Sequence, residues 1–182
     1  MTKQVTGIDP QSLIQFAAAA YQDLGMPFDD ALLAADSLVQ ADLWGHQSHG
    51  LLRLAWYCAR LRSGAMRAVT KTEVMVDAGA ICVLEGHDGV GQVIAKQAVD
   101  ESCRRAKAHG VGIVSVRNSN HFGTCMYFSR MGAAQGCITM IMSNAGPNIA
   151  PWGGRQKKIG TNPWSIAVPG GKYGSVVMDM AN

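Results

Sequence analysis

Glu73-Val-Met-Val-Asp-Ala-Gly-Ala-Ile-Cys-Val-Leu-Glu-Gly-His-Asp-Gly-Val-Gly-Gln92 is where this chain changes texture. The runs 73–77 and 80–85 are short, carry several β-branched residues and join at Gly79, which predicts two strands. Before this point the periodicity is helical. Asp9-Pro10 puts a capping residue before a proline at the first helical position, and Leu13, Phe16, Ala17, Ala20, Tyr21 and Leu24 keep helical spacing as far as Gly25. A second helix is predicted over about 29–43. After the two strands come a helix over about 92–109, strands at 112–116 and 137–143 around a helix near 123–134, and late strands near 165–168 and 175–178. The pattern is an α/β chain: a helical N-terminal segment over residues 1–70, then a mixed α/β domain over 71–182.

The same stretch excludes one common arrangement. Glu85-Gly-His-Asp-Gly-Val-Gly-Gln92 lies between a strand and a helix, the place of a dinucleotide fingerprint. The third glycine of that motif would fall on Ile94, and the strand at 112–116 ends without a ribose-binding acid. The segment therefore reads as a tight strand-to-helix turn. Any nicotinamide cofactor would have to be held by something other than an ordinary Rossmann first turn.

With 48% hydrophobic and 16% charged residues in 182, the chain can bury a sizeable core. A net charge of +3, with no basic run longer than Lys157-Lys158, gives no reason to expect nucleic acid or a membrane surface. No apolar run is long enough to span a bilayer, and Met1-Thr-Lys-Gln-Val-Thr-Gly7 lacks the layout of a secretory signal, so a cytoplasmic location is expected. The five cysteines are odd in number and none lies in a C-x-x-C, so they read as reduced thiols rather than a disulfide framework or a zinc knuckle.

Chemistry concentrates in Asp42-Leu-Trp-Gly-His-Gln-Ser-His-Gly-Leu-Leu-Arg-Leu-Ala-Trp-Tyr57. Ser48 is a good capping residue, and 49–62 then reads as one helix ending before Gly64. On it His49, Arg53 and Tyr57 fall at i, i+4 and i+8, so all three would share one exposed face, with Leu51, Leu54, Cys58 and Leu61 on a core-facing stripe. Histidine exchanges protons near neutral pH, and at a helix start the dipole would favour its neutral form until a bound anion restored the balance. Arg53 offers a planar fork for a carboxylate. A second dense region, Val116-Arg-Asn-Ser-Asn-His-Phe-Gly123, ends a strand in polar residues with His121 at a predicted helix start. Met142-Ser-Asn-Ala-Gly-Pro-Asn148, Pro151-Trp-Gly-Gly-Arg155 and Gly160-Thr-Asn-Pro163 repeat that texture, which turn chemistry alone can also explain.

Five ordered motifs together resemble the type-2 malate/L-lactate dehydrogenase family, whose members include ureidoglycolate and sulfolactate dehydrogenases, diketogulonate reductases and piperideine-2-carboxylate reductases. They are Asp-Leu-x-Gly-x-x-Ser-His-Gly-x-x-Arg at 42–53, Ser-Asn-His-Phe-Gly at 119–123, Ala-Pro-Trp-Gly-Gly at 150–154, Gly-Thr-Asn-Pro at 160–163 and Asp-Met-Ala at 179–181. The resemblance implies an NAD- or NADP-dependent oxidoreductase whose nucleotide-binding domain has a mixed sheet and is not a Rossmann fold. It implies His49 and His121 as proton donor and acceptor, and Ser48, Arg53, Tyr57, Thr161 and Asn162 on the substrate side. It further implies that Ser143, Asn144, Ala145, Asp179, Met180 and Ala181 contact the dinucleotide, with no metal. The implied reaction moves a hydride between the nicotinamide and the α-carbon of a 2-hydroxy or 2-oxo acid, or of a cyclic imino acid in some relatives, in a homodimer.

The chain is shorter than members of that family and resembles their N-terminal half, with the nucleotide-binding domain incomplete at the C-terminus. On that reading it is a partial form, its last strand is an unpaired edge, and Val176, Val177 and Met178 lack neighbours, so marginal stability and little or no activity are expected. Two other classes stay open. One is a non-catalytic fragment or interaction module derived from the family. The other is a metal-binding protein using His46 and His49 near Asp42, although no Cys or third His is placed to complete a tetrahedral shell.

Overall fold

The computed structural model describes residues 7–181. The N-terminal stretch read above for a leader lies, up to residue 6, outside the described residues. Helices come first: α1 (Pro10–Gln22), α2 (Phe28–Leu43), two 3-10 turns (Gln47–His49 and Leu51–Arg53) and α3 (Leu54–Arg62). Then follow β1 (Glu73–Ala78), β2 (Ile81–Gly89), α4 (Gly91–His109), β3 (Ile113–Ser119), α5 (Cys125–Ala134), β4 (Thr139–Met142), β5 (Trp164–Pro169) and β6 (Ser175–Met180). The chain is mixed α/β, helices before sheets, as its sequence predicts. It divides into two compact units.

The first unit holds the residues up to Glu73 together with Glu85–Ile94 and Arg117–Gly123. Asp9 caps α1 by accepting the Ser12 N–H at 2.8 Å, and Pro10 starts the helix. The buried face of α1 is Ile14, Ala17, Ala18 and Tyr21. Phe16, placed by its spacing among the apolar positions, is 66% exposed, because one residue turns a helix by about 100° and carries it off that face. The alanines of α2, Ala31, Ala34 and Ala35, are buried and small enough to let α1 approach closely. Leu38, Tyr57, Met66, Val90 and Val93 complete this core.

The second unit holds Val74–Leu84, Ala95–Val116 and the chain from Thr124 onward. Arg105 of α4 is buried and fully paired: its guanidinium donates to both Asp77 oxygens at 2.6 and 2.9 Å, to Glu101 at 2.8 Å and to the Gly79 carbonyl at 2.5 Å. These bonds fasten α4 to the β1–β2 connection; Arg105 holds the Asp77 carboxyl down to about 2, and Arg104, which donates to Glu101 at 2.6 and 2.7 Å, does the same for Glu101 with Arg105 adding to it. Further along, β4, β5 and β6 form an antiparallel sheet in that order. Helix α5 packs on one of its faces, where Ser129 and Ser165 hydroxyls meet at 2.8 Å. On the other face Met140, Met142, Val176, Met178 and Met180 are 44–69% exposed. The edge position of β6 agrees with the sequence reading, although it pairs fully with β5 from Trp164↔Met180 to Pro169↔Ser175.

Two segments differ from the sequence expectation. The 85–92 stretch is not a turn through most of its length. Strand β2 continues to Gly89, with His87 and Asp88 in the left-handed region, and only Val90 separates it from α4. The predicted helix over 49–62 is also not one helix. Gly50 is extended and divides the two 3-10 turns, and the α-helix begins only at Leu54. The cause is Asp42, whose carboxylate accepts the Leu51 N–H at 2.8 Å and lies where a Cβ on residue 50 would sit. The capping role assigned to Ser48 therefore belongs to a side chain nine residues upstream of Leu51.

Candidate active site

Ser48, His49, Arg53 and Tyr57, expected on the substrate side from their motif, and His121 belong to the first unit. His49 closes the first 3-10 turn and Arg53 closes the second, so the two are placed by separate turns rather than by consecutive turns of one helix. His121 lies in the connection between β3 and α5, four residues before the helix begins, not at a helix start. The structure nevertheless brings the two imidazoles together. Their rings stack at 5.5 Å between centroids with 24° between planes.

Four side chains, Arg53 from the second 3-10 turn and Trp56, Tyr57 and Arg60 from α3, lie around the imidazole pair. Tyr57 is 1% exposed, which corrects the expectation of an exposed face; its hydroxyl lies 2.5 Å from His121 Nδ1. Trp56 meets His121 edge-on at 5.6 Å. The guanidinium carbons of Arg53 and Arg60 lie 6.0 and 5.2 Å from the Trp56 ring centre, within cation–π range. Arg53 Nε donates to the Ser48 carbonyl at 2.7 Å, which ties the second 3-10 turn to the first. The Ser48 hydroxyl lies 2.9 Å from His49 Nδ1.

His121 is further fixed by its neighbour. The Asn120 amide donates to the carbonyls of Asp88 and Gly89 at 2.9 and 3.0 Å, and its oxygen accepts from Arg60 at 2.5 Å. Gly91 is required beside it, since a Cβ there would fall on the carbonyls of Asn120 and His121. Burial, and the nearby His49, Arg53 and Arg60, push His121 down to about 4. The ring is therefore neutral at pH 7. A helix dipole acting on His49 would favour a neutral histidine; in the structure it is burial, with His49, Arg53 and Arg60 nearby, that keeps His121 neutral. Arg60, Trp56 and Asn120 were not singled out in the sequence. Continuing the spacing from Arg53 by i+3 and i+7 would have found the first two.

The residues matched to the dinucleotide lie in the second unit. Ser143, Asn144 and Ala145 follow β4 as a loop, with the Ser143 N–H donating to the Pro163 carbonyl at 3.0 Å and the Ala145 N–H to Asn162 Oδ1 at 2.9 Å. Thr161 is half-buried and Asn162 exposed. The hydroxyl and amide of Ser143 and Asn144 are the kind of donors that suit the hydroxyls and phosphate oxygens of a dinucleotide. The Asp179 carboxylate is already engaged, accepting the Met126 N–H at 2.7 Å in the first turn of α5. Met180 is half exposed and Ala181 exposed. Among the described residues no cluster of three or more His, Cys, Asp or Glu is arranged to hold a metal ion. None of the described helices is long and apolar enough to cross a membrane. The five cysteines are free thiols, four of them buried.

Fold and site together define a mixed α/β chain that carries an imidazole pair flanked by two guanidiniums. The chain belongs to the malate/L-lactate dehydrogenase family, which it matches over residues 8–182. It is 37% identical over 174 residues to the malate dehydrogenase of Pyrococcus abyssi, covering 96% of this chain and 48% of that protein. With the L-sulfolactate dehydrogenase of Methanocaldococcus jannaschii it shares 36% identity over 174 residues, 96% of this chain and 50% of the relative. The solved malate dehydrogenase of Pyrococcus horikoshii superposes with a TM-score of 0.93 at 36% identity, over 97% of this chain and 50% of that one. The chain spans about half the length of the curated relatives it matches.

Proposed function

We propose that this protein takes part in NAD(P)-linked oxidation and reduction of 2-hydroxy and 2-oxo acids, as a homodimer in the cytoplasm. The observation that carries this reading is the stacked His49–His121 pair with Arg53 and Arg60 beside it, on a chain of this family. Arg53 grips the substrate carboxylate through the guanidinium nitrogens left over from its Nε bond to Ser48. Ser48 orients His49. His49 exchanges the proton at the substrate oxygen with the neutral His121 beside it, and the two cations favour a substrate that carries negative charge. Arg60 adds positive potential for a second acidic group, in keeping with relatives named for malate and sulfolactate.

The dinucleotide, NAD or NADP, supplies the hydride donor or acceptor. Ser143, Asn144, Ala145, Asp179, Met180 and Ala181 would hold it, with Asp179 acting through the start of α5, where its carboxylate is bonded. Asn162, next to Thr161, supports the 143–145 loop through Ala145. Titration of the protein with oxamate, a planar mimic of a 2-oxo acid, tests the carboxylate site by calorimetry, with and without NADH or NADPH. Saturable binding weakened at least about tenfold by Arg53→Lys is expected, because a point charge replaces a two-pronged clamp. Equal affinity in wild type and variant would overturn the assignment of Arg53.

A further inference from the structure

His121 Nδ1 is approached by two groups at once. One is the Tyr57 hydroxyl at 2.5 Å; the other is the Gly123 backbone N–H, which donates to the same nitrogen at 3.2 Å. A backbone amide has no lone pair to offer, so Nδ1 must present its own lone pair to Gly123. A proton on Nδ1 would face that amide head-on. The Tyr57 hydroxyl could donate instead to the His121 carbonyl, but that oxygen is 3.4 Å away and its contact is the weaker. Burial raises the Tyr57 phenol well above its ordinary value, so it stays a donor at any working pH. A neutral imidazole with an unprotonated Nδ1 carries its proton on Nε2.

We propose that Tyr57 is a positioning residue which, with the Gly123 amide, holds His121 in the Nε2–H tautomer. Tyr57 is thereby moved from the substrate-binding set to the support of a neighbour, which its near-complete burial requires. Gln92 backs it. Its side chain is fully buried and acts on the phenol, and among the described residues neither amide atom makes a hydrogen bond of ordinary geometry, so it does not draw the phenol proton away from His121. The functional consequence rests on the reading of the previous subsection: with Nδ1 occupied, the neutral ring offers the substrate oxygen a hydrogen-bond donor and no acceptor.

Imidazole nitrogens report this directly. Histidine-selective 15N labelling of the 182-residue chain, with long-range proton–nitrogen correlations at pH 7 and assignment through His121→Asn, gives the protonation of each nitrogen. His121 is expected to show a protonated Nε2 and an unprotonated Nδ1. In Tyr57→Phe, which keeps the buried ring, both resonances are expected to move toward a mixture of tautomers. A protonated Nδ1 in the wild type, or a Tyr57→Phe spectrum identical to wild type, would overturn the proposal. Should the variant fail to fold, the wild-type tautomer alone decides. Added oxamate separates the two readings: if the tautomer is as stated but His121 Nε2 does not respond to saturating oxamate, the positioning role stands and the substrate-facing role of His121 falls.

Discussion

Acidification should unfold this chain partly through one residue. His121 sits near pKa 4 in the folded protein, because burial penalises its charged form and His49, Arg53 and Arg60 repel it. In the unfolded chain it should titrate near 6.5, the ordinary value for histidine. Below pH 6.5 the unfolded state takes up a proton that the folded state refuses, so stability falls with pH from about 6.5 down to about 4 and is independent of this group above that window. At about 1.4 kcal/mol per pH unit the gap corresponds to about 3 kcal/mol. A net stability of about 5–15 kcal/mol is typical of a domain, so this is a substantial share. Urea unfolding at several values between pH 7.5 and about 4.5, run beside His121→Asn, isolates the effect, since the lowered carboxyls of Asp77 and Glu101 contribute equally to both. The variant should lose stability more slowly as the pH falls. Parallel curves, or a His121 titration midpoint near the ordinary histidine value, would refute the reasoning.

Asp42→Ala leaves the Leu51 N–H without its acceptor and should lower stability by about 1–2 kcal/mol, read as a shift in the urea midpoint at unchanged slope. It should also weaken oxamate binding, because the two 3-10 turns that carry His49 and Arg53 lose their anchor. The uncovered face of β4 and β6 should bind an apolar dye and promote self-association; Met178→Lys should reduce both, as seen by dye fluorescence and sedimentation at rising concentration. A wild-type chain that stays monomeric and dye-free would contradict this.

What the sequence made legible was local. The Asp9-Pro10 start of α1, the Gly79 connection of β1 and β2 and the edges of α4 follow from neighbours along the chain, and local chemistry decides them. The site was legible as a set of residues but not as a geometry. Spacing placed His49, Arg53 and Tyr57 on one helix, whereas Asp42 reaches across nine residues to hold Leu51 and leaves Gly50 extended. His121 was found by its motif, but the burial that keeps it neutral is reinforced by the charges of His49, Arg53 and Arg60, and these, with the Tyr57 hydroxyl at its Nδ1, lie 61 or more positions away along the chain. Such pairs leave no periodic trace. The role of Asn120, quoted only as part of a motif, was hidden for the same reason, since its work is to join Arg60 to the carbonyls of Asp88 and Gly89.

The central claim is that this family member's imidazole pair serves hydride exchange with a 2-oxo acid. It is tested most directly by isotope transfer: the protein is incubated with NADH or NADPH deuterated at the transferable C4 position and with oxaloacetate, pyruvate or sulfopyruvate, and the products are read by mass spectrometry. Deuterium at C2 of the hydroxy acid, at a low but measurable rate that is strongly reduced in His121→Asn, is the predicted result. No deuterium in any product with either cofactor, or transfer undiminished in the variant, would contradict the account.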